Sequence, residues 1–369
     1  MARYARHLAI PEFGKVAQEK LKAASVLVIG SGGLGSPLLL YLAAAGVGNI
    51  GIVDFDVVDE SNLQRQVLFT VADIGQSKAV TARKKLLALN PHINIQVYNT
   101  AFTKENAFAI AEDYDIIADG TDNFPTRYLT NDVCVLMGKV NVYASIFRFE
   151  GQVSVFNYLY ENGERGPNYR DLFPSPPPPG MVPSCAEGGV LGVLPGIIGS
   201  LQASEVIKII TGVGTPLAGR LFLFDAASFT TRTLKVRKNP TIKITELIDY
   251  DQFCGIVPKK ETNMIKEITV QDLQNWQSSQ KDFQLIDVRE EYEHDIVNLK
   301  GTLIPLNTIL EQYNQIDKEK PVIIHCRSGA RSANAIQVLQ QQFGFENLYN
   351  LKGGILAWAK EIDTTMPTY

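Results

Sequence analysis

The sequence has little of what marks several specialised classes of protein. Its 369 residues include only four cysteines, widely spaced, which argues against a disulfide framework and favours a reducing cytoplasm. The net charge of −4 and the lack of a basic tract give no reason to expect nucleic-acid binding. The N-terminal stretch lacks the apolar segment of a signal peptide. These absences predict a cytoplasmic protein that acts on neither membranes nor nucleic acids.

Long hydrophobic runs are also scarce. The longest, residues 188–210, contains Pro195, Gln202, Glu205 and Lys208, and therefore predicts a core helix rather than a membrane span. Apolar residues make up 45% of the chain and charged residues 20%, which is ordinary globular composition. A chain of this length predicts about two to three domains.

Residues 25–54 carry the strongest pattern. They predict a short apolar strand, a glycine turn, a helix and a second apolar strand that ends at Asp54. Glycines allow a tight turn and leave the helix N-terminus open to an anion. The glycines of this turn are Gly30, Gly32, Gly33 and Gly35. A Rossmann-type unit places a carboxylate such as Asp54 on a ribose hydroxyl. The pattern predicts a bound nucleotide, and by itself it fits an NAD site or a plain tight turn as well.

Charged side chains follow this unit. Arg65, Lys78 and Asp122 are expected on the same rim as Gly30 and Asp54, because ligands of open parallel sheets bind at the carboxyl ends of the strands. A triphosphate with Mg²⁺ needs cations and a carboxylate, whereas a dinucleotide needs neither Lys78 nor Asp122. The set therefore favours ATP over a nicotinamide cofactor.

The chain divides by pattern into two α/β domains. Residues 1–240 predict a Rossmann-like domain with a mixed sheet, in which Cys134 is a core residue. Residues 241–264 lose periodicity and predict a linker, which contains Cys254. Residues 265–369 again alternate strands and helices and predict a second, smaller domain.

The second domain contains a cysteine loop between a buried strand and a helix. Backbone amides, the helix N-terminus and two guanidinium groups are expected to face the sulfur of Cys326, and all of them favour a thiolate or an anionic persulfide. The loop consists of Cys326, Arg327, Ser328, Gly329, Ala330 and Arg331. A cysteine phosphatase is the alternative, but those enzymes carry one residue more, since four residues separate Cys326 from Arg331 here. The shorter ring suits a single sulfane sulfur.

Several motifs carry a resemblance to known families. They are RYARHLAIPEFG, VLVIGSGGLGSPLLL, DESNLQRQ, GTDNFPTRYLTND and SCAEGGVLGVLPG. Residues 1–240 resemble the ubiquitin-activating-type (E1-like) adenylyltransferases that act on sulfur carriers in molybdopterin and thiamine biosynthesis, and residues 265–369 resemble a single rhodanese domain. The resemblance implies a homodimer that uses ATP and Mg²⁺ to adenylate the C-terminal Gly-Gly carboxylate of a small ubiquitin-like carrier protein.

The resemblance also implies roles for individual residues. Gly33 would face the phosphates, Asp54 the ribose and Asp122 the Mg²⁺, while Arg6 would reach the ATP site of the partner subunit. The triphosphate would be held by Ser61, Asn62, Arg65 and Lys78. Cys185 matches a loop cysteine of the family, and the sequence leaves open whether its thiol accepts the acyl group, attacks an acyl disulfide, or is not used. Asp287 and Arg289 match a rhodanese pair that supports the cysteine loop.

Together the domains predict two linked reactions. The first makes a carrier acyl-adenylate, and the second transfers sulfur from a Cys326 persulfide to give a thiocarboxylate, with a separate donor that loads the sulfur. Three alternatives stay open at this point: a nicotinamide oxidoreductase, an E1 enzyme that activates its carrier for protein conjugation, and an interaction protein with an inactive rhodanese domain.

One departure from the relatives concerns metal. Many of them hold a structural zinc with two Cys-x-x-Cys pairs, and thiolate sites of this kind contribute folding energy directly. Residues 168–174 and 239–245 stand in those places and contain no cysteine or histidine. Zinc is therefore not expected, and packing through Ile242 and Ile244 is expected to hold the segments.

Overall fold

The computed structural model describes residues 2–177, 188–255 and 265–368. It divides into two compact units, the first ending at Pro258 and the second beginning at Lys259. Within the described ranges, no helix combines the length and the apolar character that a membrane crossing requires.

An eight-stranded mixed sheet forms the centre of the first unit, in the order β3-β2-β1-β4-β5-β6-β7-β8. Strands β3, β2, β1, β4 and β5 pair in parallel, and β6, β7 and β8 continue the sheet with antiparallel pairing. The strands are β1 (Ser25–Ile29), β2 (Asn49–Val53), β3 (Asn94–Tyr98), β4 (Ile116–Asp119), β5 (Val140–Phe147), β6 (Glu150–Phe156), β7 (Arg220–Asp225) and β8 (Thr230–Lys235). The expected mixed sheet is confirmed.

Helices cover both faces of the parallel part of the sheet. The helices are α1 (Ala5–Leu8), α2 (Gly14–Ala23), α3 (Gly35–Ala45), α4 (Lys78–Leu89), α5 (Ala107–Ala111), α6 (Phe124–Leu136), α7 (Tyr169–Leu172), α8 (Leu194–Thr211) and α9 (Tyr250–Phe253). Successive residues of β1 point to opposite faces, so Val26 packs in one core cluster with α2, α3, α4 and α8, while Leu27 packs in another with α5 and α6. Helix α8 covers residues 194–210 of the expected core run and contacts α3 and β5.

Residues 241–255 differ from the expected linker, because their end packs on the first unit. The hydroxyl of Tyr250 donates to Asp132 over 2.8 Å, and Asp132 also pairs with Arg170 over 2.7 Å. The Arg170 guanidinium lies over the ring of Phe253, 4.5 Å from its centroid. Tyr250 and Cys254 are buried in the same core cluster as α6. Aromatic and ionic contacts thus hold a segment that has no regular apolar period.

The two segments that the resemblance associates with zinc, residues 168–174 and 239–245, are joined by a carboxylate. Asp171 caps α7 by accepting from the backbone N–H of Asn168 over 2.7 Å, and its other oxygen accepts from the N–H of Asn239 over 2.8 Å. Ile242 and Ile244, which were expected to pack, are half-buried.

The second unit is built on a five-stranded parallel sheet in the order β11-β10-β12-β13-β9. Helices pack on both of its faces, in two separate apolar clusters. The elements are β9 (Lys266–Ile268), α10 (Val270–Ser278), β10 (Gln284–Asp287), α11 (Glu291–Ile296), β11 (Thr302–Leu303), β12 (Val322–His325), α12 (Ala330–Phe343), β13 (Leu348–Leu351) and α13 (Gly354–Glu361). Cys326 follows the central strand β12 directly, at the carboxyl edge of the sheet.

Candidate functional site

A cavity of about 400 Å³ opens at the carboxyl ends of β1, β2 and β4. It brings together most of the residues that the sequence predicted for nucleotide binding. Those that line it are Gly30, Gly32, Gly33, Asp54, Arg65, Lys78 and Asp122. The volume is within the range of pockets that bind small molecules.

The glycine turn forms the floor of this cavity. Gly30 has φ +88°, a left-handed conformation that glycine adopts without strain. A Cβ on Gly35 would overlap the carbonyl oxygen of Gly30, so only glycine allows α3 to begin so close to β1. A Cβ on Gly33 would lie 3.2 Å from the Cβ of Pro195, at the start of α8. The turn is therefore packed closely against the end of β1 on one side and against the start of α8 on the other.

Asp54 is held in place by the turn itself. One of its oxygens accepts from the backbone N–H of Ser31 over 2.8 Å and from the Ser31 hydroxyl over 2.7 Å. The other accepts from the N–H of Asp56 over 2.9 Å. Oδ1, which accepts only one of these bonds, can accept a further hydrogen bond. Asp54 is thus a preorganised acceptor for a ligand hydroxyl, as the Rossmann comparison predicted.

The two predicted cations are positioned by neighbouring groups. Lys78 starts α4, is 5% exposed and places its Nζ 3.0 Å from a carboxylate oxygen of Asp56. Arg65 donates from Nη1 to the carbonyl of Ser61 over 3.1 Å. Their positive charge at the cavity wall suits a polyphosphate.

Four predicted residues have other positions. Ser61 and Asn62 lie in a short 3-10 helix, Glu60–Asn62, and do not contribute to the cavity wall as the structure describes it. Gly35 is the first residue of α3 and does not line the cavity. Arg6 is exposed on α1. Cys185 lies outside the described residues.

Sequence reasoning missed two polar residues of the cavity. Gln66 is 4% exposed, and its Oε1 has no hydrogen-bond partner within the described ranges. Arg127 on α6 is 7% exposed, donates to the carbonyl of Thr121 over 3.1 Å and places its Nε 3.8 Å from Asp119. Burial raises the pKa of the Asp119 carboxyl, and the charge of Arg127 opposes this effect. Only their nearness to Arg65 and Asp122 in the sequence could have pointed to them.

Cys134 and Cys254, the two described cysteines of the first unit, lack the surroundings of a reactive thiol. Cys134 is fully buried on α6, as predicted, and Cys254 contributes to the cavity wall. Burial raises the pKa of the Cys134 thiol, and it raises the pKa of the Cys254 thiol to about 11. Neither environment favours a thiolate at neutral pH.

The donor set fits a magnesium ion that binds with a nucleotide. Asp122 is an exposed carboxylate on the cavity rim. In the part of the chain that the structure describes, no group of three or more His, Cys, Asp or Glu side chains is placed to hold a metal ion. Magnesium typically takes one or two carboxylates and completes its shell with phosphate and water oxygens. Asp122 fits that role, and a dedicated protein cage is not required.

The Cys326 loop surrounds its sulfur with hydrogen-bond donors. Cys326 is 1% exposed, and its Sγ accepts from the backbone N–H of Gly329 over 3.1 Å. Gly329 has φ +96° and precedes α12. On the opposite side, the N–H groups of Ile355 and Leu356 at the start of α13 bind the carbonyls of Cys326 and Arg327. The carbonyls of Cys326 and Arg327 are thus bonded to α13, and the Gly329 amide points towards the sulfur.

An ion pair that the sequence did not predict fixes the end of this loop. Arg331 binds both oxygens of Glu293 on α11, over 2.6 and 2.7 Å. Asp287 and Arg289 form a second, fully buried pair with a 2.6 Å contact, and Arg289 also donates to the carbonyl of Val297 over 2.7 Å. Arg289 thus holds the helix that carries Glu293. This geometry fits the supporting role expected for Asp287 and Arg289.

His325, next to Cys326, makes the stability of the second unit depend on pH. Burial lowers its pKa to about 4; the nearby Asp287 carboxylate opposes this, and the Arg289 charge adds to it. In the unfolded chain the pKa is about 6.5. As the pH falls, the unfolded state therefore takes up a proton on His325 before the folded state does. The contribution of His325 to the unfolding free energy is fully present above about pH 6.5 and is lost as the pH falls towards 4.

We expect acidification through this range to remove about 3 kcal/mol from the unfolding free energy of the second unit. Urea unfolding followed by tryptophan fluorescence measures this unit alone, because Trp276 and Trp358 both lie in it. His325→Leu should weaken the pH dependence, and His92→Gln, at an exposed histidine of the first unit, should not. An equally steep pH dependence in His325→Leu would contradict the assignment.

Comparisons with known proteins agree with this geometry. Residues 4–244 match the ThiF family, and residues 269–361 match the rhodanese-like domain. A Mycobacterium tuberculosis protein named probable adenylyltransferase/sulfurtransferase MoeZ is 51% identical over 375 residues, which cover 100% of this chain and 95% of the relative. A Thermus thermophilus sulfur carrier protein adenylyltransferase is 52% identical over 69% of this chain and 96% of its own length.

Solved structures show the same fold for the first unit. The crystal structure of E. coli MccB with ATP aligns with a TM-score of 0.54 at 23% identity, and covers 66% of this chain and 73% of that chain. The sequence matches span both units and confirm the resemblance that the motifs suggested. The chain therefore belongs to the ThiF family of E1-like proteins and carries a rhodanese-like domain after its ThiF domain.

Proposed function

We propose that this protein activates the C-terminal carboxylate of a small ubiquitin-like sulfur carrier with ATP and then converts it to a thiocarboxylate. One observation carries the proposal: a single chain contains both a cavity lined by Arg65, Lys78 and Asp54 and a cysteine loop in which the Gly329 amide donates to the sulfur of Cys326. Relatives named adenylyltransferase and sulfurtransferase contain both units over nearly their full length.

The first reaction is adenylation. The carrier carboxylate is already ionised at neutral pH, so it needs no general base to attack the α-phosphorus of ATP, and pyrophosphate leaves. Asp54 orients the ribose, and Arg65 and Lys78 neutralise the phosphate charge that would otherwise repel the carboxylate. Asp122 would hold a Mg²⁺ ion, which would supply further neutralisation of the phosphate charge.

The second reaction is sulfur transfer. The outer sulfur of a Cys326 persulfide attacks the acyl carbon, and AMP leaves with the electron pair of the broken C–O bond. A thiolate then attacks Sγ of Cys326 in the resulting acyl disulfide: a new disulfide forms to Cys326, and the carrier thiocarboxylate leaves with the electron pair of the broken S–S bond. A second thiol reduces the new disulfide. Cys185, which matches the family's loop cysteine, is our candidate for the attacking thiolate. Free thiols and ATP are both available in a reducing cytoplasm, where we place the protein.

Surface features support the proposed partners. Phe149 and Phe229 are exposed in the turns that join antiparallel strands, and Phe147 lines the cavity, which offers apolar surface for a carrier. Tyr41 on α3 and Leu201 on α8 are also exposed, which suits a homodimer. In such a dimer the exposed Arg6 would enter the ATP site of the partner subunit. A carrier with a C-terminal Gly-Gly serves molybdopterin, thiamine or related sulfur chemistry.

The role of Asp122 is tested by removing its carboxylate. We expect Asp122→Ala to abolish carrier-dependent exchange of pyrophosphate into ATP, because the metal that neutralises the phosphates loses its protein ligand. Asp113→Ala removes an exposed carboxylate of the same unit and serves as the control. Undiminished exchange in Asp122→Ala would contradict the metal assignment.

The two reactions should be separable at Cys326. We expect Cys326→Ala to retain carrier-dependent pyrophosphate exchange while it loses thiocarboxylate formation from thiosulfate or a persulfide donor. Excess sulfide should partly restore the thiocarboxylate, because sulfide attacks the acyl-adenylate directly. Loss of pyrophosphate exchange in this variant would show that the two sites are not separable.

We propose that the first unit folds without zinc. A strong chelator should then leave its melting temperature unchanged in scanning calorimetry. Asp171→Ala should lower it by several degrees, since the change removes a helix cap and leaves the Asn239 N–H without its acceptor, at a cost of about 1–3 kcal/mol. About one zinc per chain after dialysis against chelator would contradict the proposal.

A further inference from the structure

Ser332 is a buried hydroxyl beside the reactive sulfur. It lies just after the Cys326–Arg331 loop, in the first turn of α12, and is fully buried. Its Oγ is 3.5 Å from the Sγ of Cys326, within hydrogen-bond distance for sulfur. The family resemblance gives this serine no role, and the reaction described above does not use it.

The hydroxyl of Ser332 has one proton and three acceptors in reach. These are the Sγ of Cys326, the carbonyl of Gly329 at 3.1 Å and the side-chain oxygen of Asn350 at 2.6 Å. Asn350, on β13, is 4% exposed and holds the Ser332 oxygen in a fixed place. A hydroxyl rotor redirects its proton while its oxygen stays still. Ser332 can therefore donate to the sulfur in one state and to another acceptor in the next.

The sulfur needs such a donor because little water reaches it. Cys326 is 1% exposed, and the Gly329 N–H is a backbone donor that cannot be removed or redirected. A buried anion without enough hydrogen bonds is costly, and a hydrogen bond to an ionised acceptor is about twice as strong as one between neutral groups. The demand on Ser332 is therefore greatest when the sulfur carries a negative charge.

We propose that Ser332 donates a hydrogen bond to the Cys326 sulfur as that sulfur becomes a leaving group, with Asn350 as the residue that positions the hydroxyl. The inference rests on the Cys326 persulfide of the proposed sulfur transfer. It concerns the step in which a thiophilic acceptor, such as cyanide or a thiolate, takes the outer sulfur, and not the attack on the acyl-adenylate. The acceptor forms a bond to the outer sulfur of the persulfide. The bond between the two sulfurs breaks, and its electron pair goes to Sγ, which becomes a thiolate that accepts from Gly329 N–H and from the Ser332 hydroxyl.

This role predicts different effects on the two directions of sulfur transfer, which are the unloading of sulfur from Cys326 and its loading from a donor. A better stabilised thiolate leaves faster, but it is also a weaker nucleophile when it attacks a sulfur donor. Removal of the hydroxyl should slow the departure of sulfur from Cys326 and should not slow its arrival once the thiol is ionised. A purely structural role would impair both directions together.

The test uses the full-length chain with Ser332→Ala. The protein is loaded with glutathione persulfide: the Cys326 thiolate takes the outer sulfur, and glutathione thiolate leaves. After desalting, cyanide removes the sulfur in a single turnover, and the thiocyanate formed is measured. We expect cyanide-dependent unloading to slow about ten- to hundredfold, the range for one hydrogen bond to a charged group. Loading at alkaline pH should be as fast as in the parent chain or faster.

Two further variants act as controls. Ser332→Thr keeps the hydroxyl and should restore most of the unloading rate. Ser278→Ala removes an exposed hydroxyl of α10 and should change neither rate. Tryptophan fluorescence of each variant reports on the folding of the second unit.

Each outcome decides the question. Slow unloading with undiminished loading in Ser332→Ala, restored in Ser332→Thr, supports the proposal. An equal loss of both rates, or no change in either, overturns it while the proposed sulfur transfer still stands. If the parent chain itself forms no persulfide on Cys326, the sulfur transfer and this inference fail together.

Discussion

The close approach of Gly35 to the carbonyl of Gly30 is the contact on which the first site depends. A side chain at Gly35 would overlap that carbonyl, so only glycine lets α3 start directly above the end of β1. This approach places Gly30, Gly32 and Gly33 at the cavity wall and brings Ser31 within hydrogen-bond distance of Asp54. The position of Asp54, the glycine part of the wall and the start of α3 thus follow from one backbone constraint.

The second site has the same strand, glycine and helix arrangement, and the anion it suits is a single sulfur. A buried strand again ends at the site and a helix again begins there, with Gly329 in the left-handed conformation between them. The group held by the amides is now the sulfur of Cys326 itself, and the loop around it is fixed by the Arg331–Glu293 ion pair and by the start of α13. Both units of the chain thus begin a helix at the site, where oriented backbone dipoles suit a negative charge.

Features with a local sequence signature were predictable, and features made by distant residues were not. The strand, turn and helix around Gly30 and the strand, loop and helix around Cys326 each lie in one short stretch, and the structure forms both. The guanidinium of Arg331, which was expected to face the sulfur, is paired with Glu293. Glu293 was missed because it is 38 residues from Arg331. Residues 250–254 were expected in a linker because their docking depends on Tyr250 reaching Asp132, 118 residues away. Tertiary pairing of this kind leaves no periodic trace in the sequence.

Intact mass spectrometry of the carrier tests the central claim most directly. The full-length protein is incubated with a ubiquitin-like carrier that ends in Gly-Gly, with ATP, Mg²⁺ and glutathione persulfide. The account predicts a carrier whose mass has risen by the exchange of one oxygen for sulfur, and only when ATP and the persulfide are both present. An unchanged mass for every Gly-Gly carrier tried, or a carrier joined to a lysine of another protein, would contradict it.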